Sequence, residues 1–495
     1  MERNVCSLGL DIGTTSVKVI ALDENGSLLT QRGQRLDLLQ PEEGAAEQDV
    51  TAVMAALMGV MEEVLEELRA GNWEVRRVGF SAAMHSVLAV DAAGNPLSNA
   101  ITWMDTRAKH AATDLWESVL GKNIYAVTGT PVHPMSPITK LRRWSLERPD
   151  WVKSVHKFVS IKEWIWHQWF GEWVVDASMA GATGLYNFAH GGWEPEALAF
   201  AGVSEEQLSA VVPTTTCKVA GASAALRGLG FEESVLFNVG STDGVLANLG
   251  VGAVKPDTLV LTVGTSCAVR VTSHHPQTDV ETRSFCYALD GERFVLGGPS
   301  NSGGISVETL YAQILAGIGV QWQPEELSAK LLEAGNVETD GLICLPYVAG
   351  ERAPLWAPEA KAAWIGVDRG HTGLHLLRAV VEGVLLNAYW IATSLFQMTG
   401  QPKQVMASGK LLEVAWVRQL VADIFGLPVY ESQNGDASAV GAVLLAEIAA
   451  GVKSFEDAVP QSESEQNVTY PRVEMQAYYR EKLEVFKRYA LFLNE

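Results

Sequence analysis

Apolar positions in the first hundred residues form short runs separated by one long helical pattern. Residues 7–22 contain two apolar runs around a Gly-Thr turn, which is typical of a β-hairpin. Residues 50–69 repeat apolar side chains at helical spacing, and a buried strand is predicted at 75–80. Shorter strands are predicted at 87–90 and 100–103. Strands that alternate with helices indicate an α/β sheet that is covered on both faces.

The first hairpin has a shortened repeat about halfway along the chain. Its turn starts with Gly13 and Thr14. A second turn between two apolar runs starts with Gly264 and Thr265, and the distance along the chain is the same from Gly13 to Gly264 as from Thr14 to Thr265. Glycine permits the tight turn, and successive backbone N–H groups in such turns form an anion-binding nest. Two facing turns therefore predict a clamp for a polyphosphate, formed by a duplicated nucleotide-binding chain.

The two copies differ at one position before the turn, where Asp11 corresponds to Thr262. A carboxylate beside phosphates indicates a metal ion, and Mg²⁺ takes only one or two carboxylates. We expect Asp11 to hold Mg²⁺, directly or through water; an exposed Asp at a strand end is the alternative. Lys18 is predicted either to reach the phosphates or to face solvent, because strand alternation puts it on the face of Ile12 and not on that of Asp11.

The second half of the chain repeats the α/β pattern, with helices predicted at about 374–396 and 415–425. Residues 235–244 are interpreted as an apolar turn, and a boundary is predicted at about residue 247, which gives domains 1–247 and 248–495. Residues 110–200 are rich in Trp and are predicted to fold over the first sheet, with the Trp side chains in the core of this insertion. The tail, 453–495, is predicted to be helical and to dock on either domain.

Length and charge narrow the class of protein. A chain of 495 residues is too long for one core, and 47% hydrophobic and 19% charged residues are ordinary for globular domains. The net charge of −21 argues against nucleic acid or an acidic membrane surface as partner, and an anionic ligand would need a local basic pocket. Five scattered cysteines without CxxC spacing argue against disulfides and zinc. Without a signal-peptide pattern or a membrane-spanning run, the expected location is the cytoplasm.

Three motifs carry a family resemblance: Asp-Ile-Gly-Thr-Thr-Ser-Val-Lys at 11–18, Gly-Thr-Ser at 264–266 and Arg-Ala-Val-Val-Glu-Gly at 378–383. Together they resemble the FGGY carbohydrate kinases of the actin-like, Hsp70-like ATPase superfamily, over about residues 5–450. The resemblance implies an α/β fold of two actin-like (ribonuclease H-like) domains flanking a nucleotide cleft, with ATP and Mg²⁺. Segments at 81–86, 103–107 and 129–140 are most similar to bacterial gluconokinases, which implies phosphorylation of D-gluconate to 6-phospho-D-gluconate.

The reaction needs a group that accepts the proton of the attacking hydroxyl. Asp243 lies beside Gly244 just before the second domain, and it occupies the position of the family's catalytic Asp. From the residues alone, an Asx turn that caps the following helix is an equal alternative. The resemblance favours the general base.

The remaining candidates form a sugar group and a nucleotide group. The sugar or sugar acid is expected to bind to strand-end and loop residues, of which Arg107, His133 and Lys140 would recognise a carboxylate: Met84, His85, Trp103, Asp105, Arg107, His133 and Lys140. A surface position is the alternative for the basic residues, above all for Lys140. ATP is expected to bind to the two turns and, by resemblance, to two further segments: Gly13, Thr14, Thr15, Ser16, Lys18, Gly264, Thr265, Gly303, Gly304, Ser408 and Gly409. Lys410 departs from the glycine usual at that position.

Other readings of the chain stay open at this point. A xylulokinase or another pentulose or polyol kinase is the alternative within the family. A non-catalytic sugar or nucleotide sensor is the alternative of another class, and the presence of Asp11 and Asp243 counts against it. The expected partner is a small-molecule sugar or sugar acid, not nucleic acid or a membrane, and a homodimer is left open.

Overall fold

The computed structural model describes residues 3–312, 324–339, 341–432, 436–458 and 468–494. The strands, in chain order, are β1 Asn4–Ile12, β2 Ser16–Asp23, β3 Leu28–Arg35, β4 Glu47–Gln48, β5 Trp73–Ala82, β6 Leu88–Val90, β7 Ala100–Ile101, β8 Lys157–Val159, β9 Val174–Asp176, β10 Tyr186–Asn187, β11 Gly192–Trp193, β12 Ala210–Val212, β13 Cys217–Val219, β14 Leu236–Thr242, β15 Thr258–Val263, β16 Cys267–Ser273, β17 Phe285–Ala288, β18 Phe294–Ser300, β19 Ile343–Leu345, β20 Ala363–Ile365, β21 Gln404–Ser408, β22 Val429–Glu431 and β23 Val468–Thr469.

The helices, in chain order, are α1 Val50–Ala70, α2 Lys109–Trp116, α3 Val119–Thr128, α4 Pro137–Glu147, α5 Pro149–Ser154, α6 Ile161–Phe170, α7 Ala177–Gly181, α8 Pro195–Ala201, α9 Ala224–Gly228, α10 Asp243–Gly250, α11 Gly304–Leu310, α12 Pro324–Ala334, α13 Gly373–Thr399, α14 Ala415–Phe425, α15 Ala437–Ala449 and α16 Val473–Phe492. By length and composition alone α13 would be long and apolar enough to cross a membrane, but 78% of its apolar 18-residue stretch is buried inside the protein.

The two large sheets share one topology. Their strand orders are β13-β14-β5-β1-β2-β3 and β17-β18-β16-β15-β21-β22-β23. In each sheet an antiparallel hairpin, β1–β2 or β15–β16, lies beside a strand parallel to its first member, β5 or β21. These hairpins carry the two Gly-Thr turns. The repeat seen in the sequence is therefore a duplication of the fold.

Each Gly-Thr turn is closed by a backbone hydrogen bond. The Gly13 N–H donates to the Ser16 carbonyl oxygen at 2.9 Å, and the Gly264 N–H donates to the Ser266 carbonyl oxygen at 3.0 Å. The second turn is thus one residue shorter. After the two turns, equivalent residues of the two hairpins are therefore no longer separated by the same number of positions as the two glycines.

The hairpin register places Lys18 differently from the prediction. Lys18 pairs directly with Asp11 across β1 and β2, whereas Thr262 pairs with Ala268 in the second hairpin. Residues that pair directly across antiparallel strands share one face of the sheet. The prediction that Lys18 lies on the face opposite Asp11 is therefore wrong, because counting alternation along the chain ignored the turn.

Helices α10 and α15 cross at the boundary between the halves. A Cβ atom on Gly250 would lie 1.9 Å from a backbone carbonyl oxygen of α15, and one on Gly441 would lie 1.9 Å from a carbonyl oxygen of α10. Only glycine allows this approach of two backbones. Helix α15 also packs on β1 and β5 of the first sheet. The predicted boundary at about residue 247 falls inside α10, and domain limits 1–247 and 248–495 remain a prediction.

Most predicted elements are present, and one is wrong. The helices at 50–69, 374–396 and 415–425 are α1, α13 and α14. The predicted turn at 235–244 is instead the buried strand β14 followed by the first turn of α10. Its register to β5 shifts between Asn238 and Ser241. This bulge around Gly240 makes a central strand resemble a turn in the sequence.

The segment 110–200 folds over the first sheet, and its Trp side chains fill two cores. Trp164, Trp166 and Trp169 are buried in the core of the first sheet, whereas Trp144 is buried in a separate cluster formed by the insertion. The tail packs on the second half, where α16 contacts α13 and α14. Residues 459–467 of the predicted helical tail lie outside the described residues.

Candidate active site

A cleft of about 780 Å³ lies between the two large sheets, lined by residues of both halves. Its wall comprises Asp11, Lys18, Asp243, Gly244, Ala247, Thr262, Arg270, Ala407, Ser408, Gly409, Lys410, Leu412, Glu413, Glu431, Ser432, Asp436, Ala437 and Ser438. The structure thus brings together five of the predicted site residues: Asp11, Lys18, Asp243, Ser408 and Gly409.

Asp11 lies near the end of β1 and is held from both halves of the chain. Its Oδ1 accepts a hydrogen bond from Ser81 Oγ at 2.7 Å, and its Oδ2 accepts one from Ser438 Oγ at 3.0 Å. Burial raises the pKa of Asp11, while these hydrogen bonds and the charge of Lys18 act in the opposite direction. Asp11 is therefore an oriented carboxylate in the cleft, and the alternative of a freely exposed strand-end Asp is wrong.

The second half has a counterpart of the Asp11–Ser81 contact. Thr262 occupies the position of Asp11, and its Oγ1 lies 3.1 Å from Ser408 Oγ on the neighbouring parallel strand. A neutral hydroxyl pair thus replaces the carboxylate and its serine. At this level the first half presents a carboxylate and the second half a pair of hydroxyl groups.

Lys18 is engaged in an ion pair with Asp436, which precedes α15. Gln31 also donates a hydrogen bond to Asp436, at 2.5 Å. Lys18 lies on the cleft wall with a side chain that is 38% exposed, and its contact with the phosphates remains a prediction. Its ammonium joins the first hairpin to the first turn of α15.

Asp243 is the first residue of α10, where the helix begins after β14. Its carboxylate accepts hydrogen bonds from the backbone N–H groups of Gly244, at 2.7 Å, and of Met84. Burial, together with the charge of Asp11, raises the pKa of Asp243 to about 6, while Arg270 acts in the opposite direction. A carboxylate with this pKa changes its protonation state near neutral pH, as a general base requires.

The first Gly-Thr turn is held in place by two side chains. Gln48 Nε2 donates to the carbonyl oxygens of Gly13 and Thr14, at 3.2 and 2.9 Å. Trp103 Nε1 donates to Thr14 Oγ1 at 3.0 Å. Because Gln48 binds two of its carbonyl oxygens and Trp103 binds the Thr14 hydroxyl, the turn of residues 13–16 has a fixed shape beside Asp11.

The predicted glycine pair lies against the second turn. The Gly304 N–H donates to the Gly264 carbonyl oxygen at 2.8 Å, and a Cβ on Gly303 would lie 2.7 Å from the Thr265 carbonyl oxygen. This close approach explains why glycine is needed at residue 303. The pair therefore supports the turn that carries Gly264 and Thr265, and its contact with adenosine remains a prediction.

Two of the predicted sugar residues are buried, neutral histidines. His85 Nδ1 lies 2.7 Å from the Ala182 carbonyl oxygen, so Nδ1 carries the proton and Nε2 is an acceptor. His133 Nδ1 accepts from the Met135 N–H at 3.2 Å, so its Nε2 carries the proton. Burial lowers the pKa of each imidazole to about 3. His85 Nε2 is therefore a hydrogen-bond acceptor and His133 Nε2 a donor, as the binding of hydroxyl groups would require.

Arg352, from the second half, reaches the same region. Its guanidinium lies 5.4 Å from the centre of the Trp103 ring, and its charge contributes to the low pKa values of His85 and His133. Its Nη2 donates to the Ser300 carbonyl oxygen at 3.2 Å, and its buried Nε has no hydrogen-bond partner. A buried cation with a free donor thus faces the predicted sugar residues.

Models of known protein families match both halves of the chain. The model of the N-terminal domain of the FGGY family of carbohydrate kinases matches residues 6–250, and that of the C-terminal domain matches residues 259–450. This chain belongs to the FGGY family of carbohydrate kinases. Solved FGGY kinases have the actin-like two-domain fold, so the predicted family and fold class are confirmed.

Individual FGGY kinases resemble the whole chain. The gluconokinase of Bacillus subtilis (strain 168) is 35% identical over 458 residues, which cover 91% of this chain and 89% of that protein. The crystal structure of gluconate kinase from Lactobacillus acidophilus matches with a TM-score of 0.91 and 29% identity, covering 99% of this chain and 98% of that one. A ligand-bound xylulose kinase from the same organism gives the same four values. The backbone alone does not distinguish the two acceptors.

Two predicted sugar residues of this FGGY kinase are engaged elsewhere. Asp105 accepts from the Ala46 N–H at 3.0 Å and from Arg107 Nε at 2.9 Å, and Arg107 also pairs with Glu42 and Glu47. These contacts tie the loop after β7 to the segment before α1. The structure does not support the prediction that Asp105 and Arg107 contact the sugar, because their polar atoms bind one another and the neighbouring loop.

Lys140 is also placed differently from both predictions. It is only 2% exposed, and its ammonium donates to the carbonyl oxygens of His85 and Thr102 at 2.7 Å. Burial lowers the pKa of Lys140 to about 7. The surface alternative is wrong, and the structure does not support recognition of a carboxylate, because the donors of Lys140 bind the backbone of the strand ends that carry His85 and Trp103.

Several residues of the kinase cleft were not predicted. Ser81, Ser438 and Asp436 hold Asp11 and Lys18, and Lys162 forms a buried ion pair with Asp176 at 2.5 Å. Lys162 also donates to the Ser241 carbonyl oxygen at 3.2 Å, which fixes β14 just before Asp243. A further residue, Arg270, could have been noticed in the sequence as a cation between the two apolar residues Val269 and Val271.

Proposed function

We propose that this FGGY kinase transfers the γ-phosphoryl group of ATP to D-gluconate, giving 6-phospho-D-gluconate. The observation that carries the proposal is the 35% identity to a gluconokinase over nine-tenths of the chain. Charge at the sugar side supports an anionic acceptor, because Arg352 is a buried cation beside His85 and His133. Arg352 takes the role predicted for Arg107 and Lys140, whose donors are bound elsewhere.

Asp243 would act as the general base. Its carboxylate accepts the proton of the acceptor hydroxyl while the hydroxyl oxygen forms a bond to the γ-phosphorus. The bond between that phosphorus and the bridging oxygen to the β-phosphorus breaks, and ADP leaves with the electron pair. The N–H groups of Gly244 and Met84 orient the carboxylate, so that one lone pair faces the cleft.

The two turns would hold the phosphates of ATP between them. Gly13–Ser16 and Gly264–Thr265 offer backbone N–H groups and hydroxyls, and Ser408 and Gly409 lie on the same cleft wall. Among the described residues no group of three or more His, Cys, Asp or Glu side chains forms a metal site. A single carboxylate suits Mg²⁺, which would be held by Asp11 and by phosphates, and would neutralise part of their charge.

The cysteines bear on the location of the protein. The five cysteines are free, and four of them are buried, which supports the proposed cytoplasmic location because reduced cysteines are typical of that compartment. The only partner required by the proposed reaction, besides ATP, is the small-molecule acceptor.

A panel of acceptors tests the proposed function. We expect kcat/KM for gluconate to exceed the values for xylulose, ribulose and glycerol by at least about 100-fold, because these acceptors lack the carboxylate that Arg352 would bind. ADP formation is followed with each acceptor, with the no-acceptor rate as background. Preferred turnover of a pentulose would contradict gluconate and favour the xylulokinase alternative, which the equally similar xylulose kinase structure supports.

The rate should fall in acid because Asp243 acts as a base only when ionised. Its pKa of about 6 lies well above that of an ordinary Asp, owing to burial and to Asp11. We expect kcat/KM for the acceptor to decrease about tenfold for each pH unit below about pH 6. His85 and His133 stay neutral in this range. A flat profile down to pH 5, with the fold intact by circular dichroism, would contradict the role of Asp243.

A further inference from the structure

Arg270 is a cleft residue for which the sequence suggested no role. It lies in β16, and its side chain lines the cleft with Asp243. Its Nη1 makes a long hydrogen bond, 3.4 Å, to Thr262 Oγ1, and its Nε is buried without a hydrogen-bond partner. The charge of Asp243 acts on the guanidinium, but no carboxylate in the described part of the chain is hydrogen-bonded to it. Because an arginine stays charged, these unused donors favour an anionic ligand.

The other basic residues of the cleft wall differ from Arg270. Lys18 is neutralised by Asp436. Lys410 is exposed to solvent at the start of a short 3₁₀ turn. Arg270 is thus a partly buried cleft cation with a buried donor, Nε, that no protein group binds.

The guanidinium lies next to the proposed base. A Cβ on Gly244 would lie 3.4 Å from Arg270 Nε and 3.6 Å from its Nη2, and the Gly244 N–H donates to the Asp243 carboxylate. The acceptor oxygen must lie within hydrogen-bond reach of Asp243, and the γ-phosphorus lies about 3 to 3.5 Å from that oxygen before reaction. Arg270, on the second sheet, therefore faces the reacting group from the side opposite Asp11.

We propose that Arg270 binds the phosphoryl group while it moves from ATP to the acceptor hydroxyl. The planar fork of a guanidinium matches two phosphoryl oxygens, and its charge stabilises the negative charge on them. The proton still goes to Asp243 and the electron pair still leaves with ADP, so Arg270 adds no covalent step. The inference rests on the phosphoryl transfer proposed above, but not on which sugar is the acceptor.

Arg270→Gln tests this role, with Arg270→Lys as the conservative variant. Using the best acceptor of the panel, we expect kcat of R270Q to fall about 100-fold, as for other lost donors to a transition state, with both KM values changed less than about threefold. Arg270→Lys should keep more of the rate, because it keeps the charge. Arg369→Gln removes an exposed arginine and should behave as the wild type.

Binding of magnesium ADP with aluminium fluoride, a mimic of the phosphoryl group in transfer, gives a second measurement. R270Q should bind this complex about 100-fold more weakly, while ADP alone binds as to the wild type. Because the complex contains no acceptor, the result does not depend on gluconate. Unchanged binding of the complex would overturn the proposal. So would a large rise in KM for gluconate at constant kcat, which would assign Arg270 to the sugar carboxylate.

Discussion

Asp243→Asn is expected to lower kcat about 10³- to 10⁴-fold while ATP still binds. The amide has nearly the same shape, and its oxygen can accept the backbone hydrogen bonds that Gly244 and Met84 donate, but it cannot take a proton from the acceptor hydroxyl. Single-turnover phosphorylation of the sugar measures the loss, and equilibrium dialysis with ATP measures binding. Asp150→Asn removes an equal charge from a side chain that is 98% exposed, and should leave both unchanged.

The same variant should be more stable than the wild type at neutral pH. The folded protein raises the pKa of Asp243 from 3.8 to about 6, so the wild type is stabilised by the bound proton in acid and loses that contribution as the pH rises through 6. Asn removes the buried charge, which corresponds to a gain of up to about 3 kcal/mol at pH 7.5. Urea unfolding at pH 7.5 and pH 4 checks the prediction. An equal difference at both pH values, or near-normal turnover, would contradict the assignment.

Asp11→Asn is expected to lower kcat about 1,000-fold and to raise the Mg²⁺ concentration needed for half-maximal rate. The amide oxygen still accepts a hydrogen bond from Ser81, so the loop keeps its shape, but the negative charge is lost. Loss of several kcal/mol of cation binding at the phosphates accounts for a rate effect of this size. A Mg²⁺ titration of kcat measures both changes.

Two further results separate this role of Asp11 from a structural one. Asp11 contributes to the raised pKa of Asp243, so the acid limb of the rate profile should move to lower pH in the Asn variant. Asp37→Asn changes an exposed carboxylate just after β3, and should alter neither the Mg²⁺ dependence nor the pH profile. A loss of rate with an unchanged Mg²⁺ dependence would assign Asp11 to another task.

The sequence predicted the parts of the cleft that depend on local pattern. Helix α14 has the predicted bounds because its apolar spacing has the helical period throughout. The repeated Gly-Thr turns identified both hairpins, and motif positions placed Asp11 and Asp243 in one cleft. Each of these predictions needs only short segments and their order along the chain.

Contacts between distant segments could not be predicted in the same way. Ser438 reaches Asp11 from 427 positions away, and the charge of Lys140 gave no indication that backbone carbonyl groups would bind it. Arg107 was assigned to the sugar by its residue type, but in the fold it forms ion pairs with Glu42 and Glu47 instead. Which side chains form hydrogen bonds or ion pairs with one another depends on the folded arrangement, which the hydrophobic pattern and the composition do not encode.

The crossing of α10 and α15 gives the two halves a direct mechanical connection. No side chain separates the helices at Gly250 and Gly441, so a shift of one helix acts directly on the backbone of the other. Asp243 begins one helix, and Ser438, which is bonded to Asp11, lies in the first turn of the other. A movement of α15 against α10 would therefore act on the Ser438–Asp11 hydrogen bond and on the position of Asp243 at the same time. We expect ATP bound to an open enzyme to be protected from attack by water.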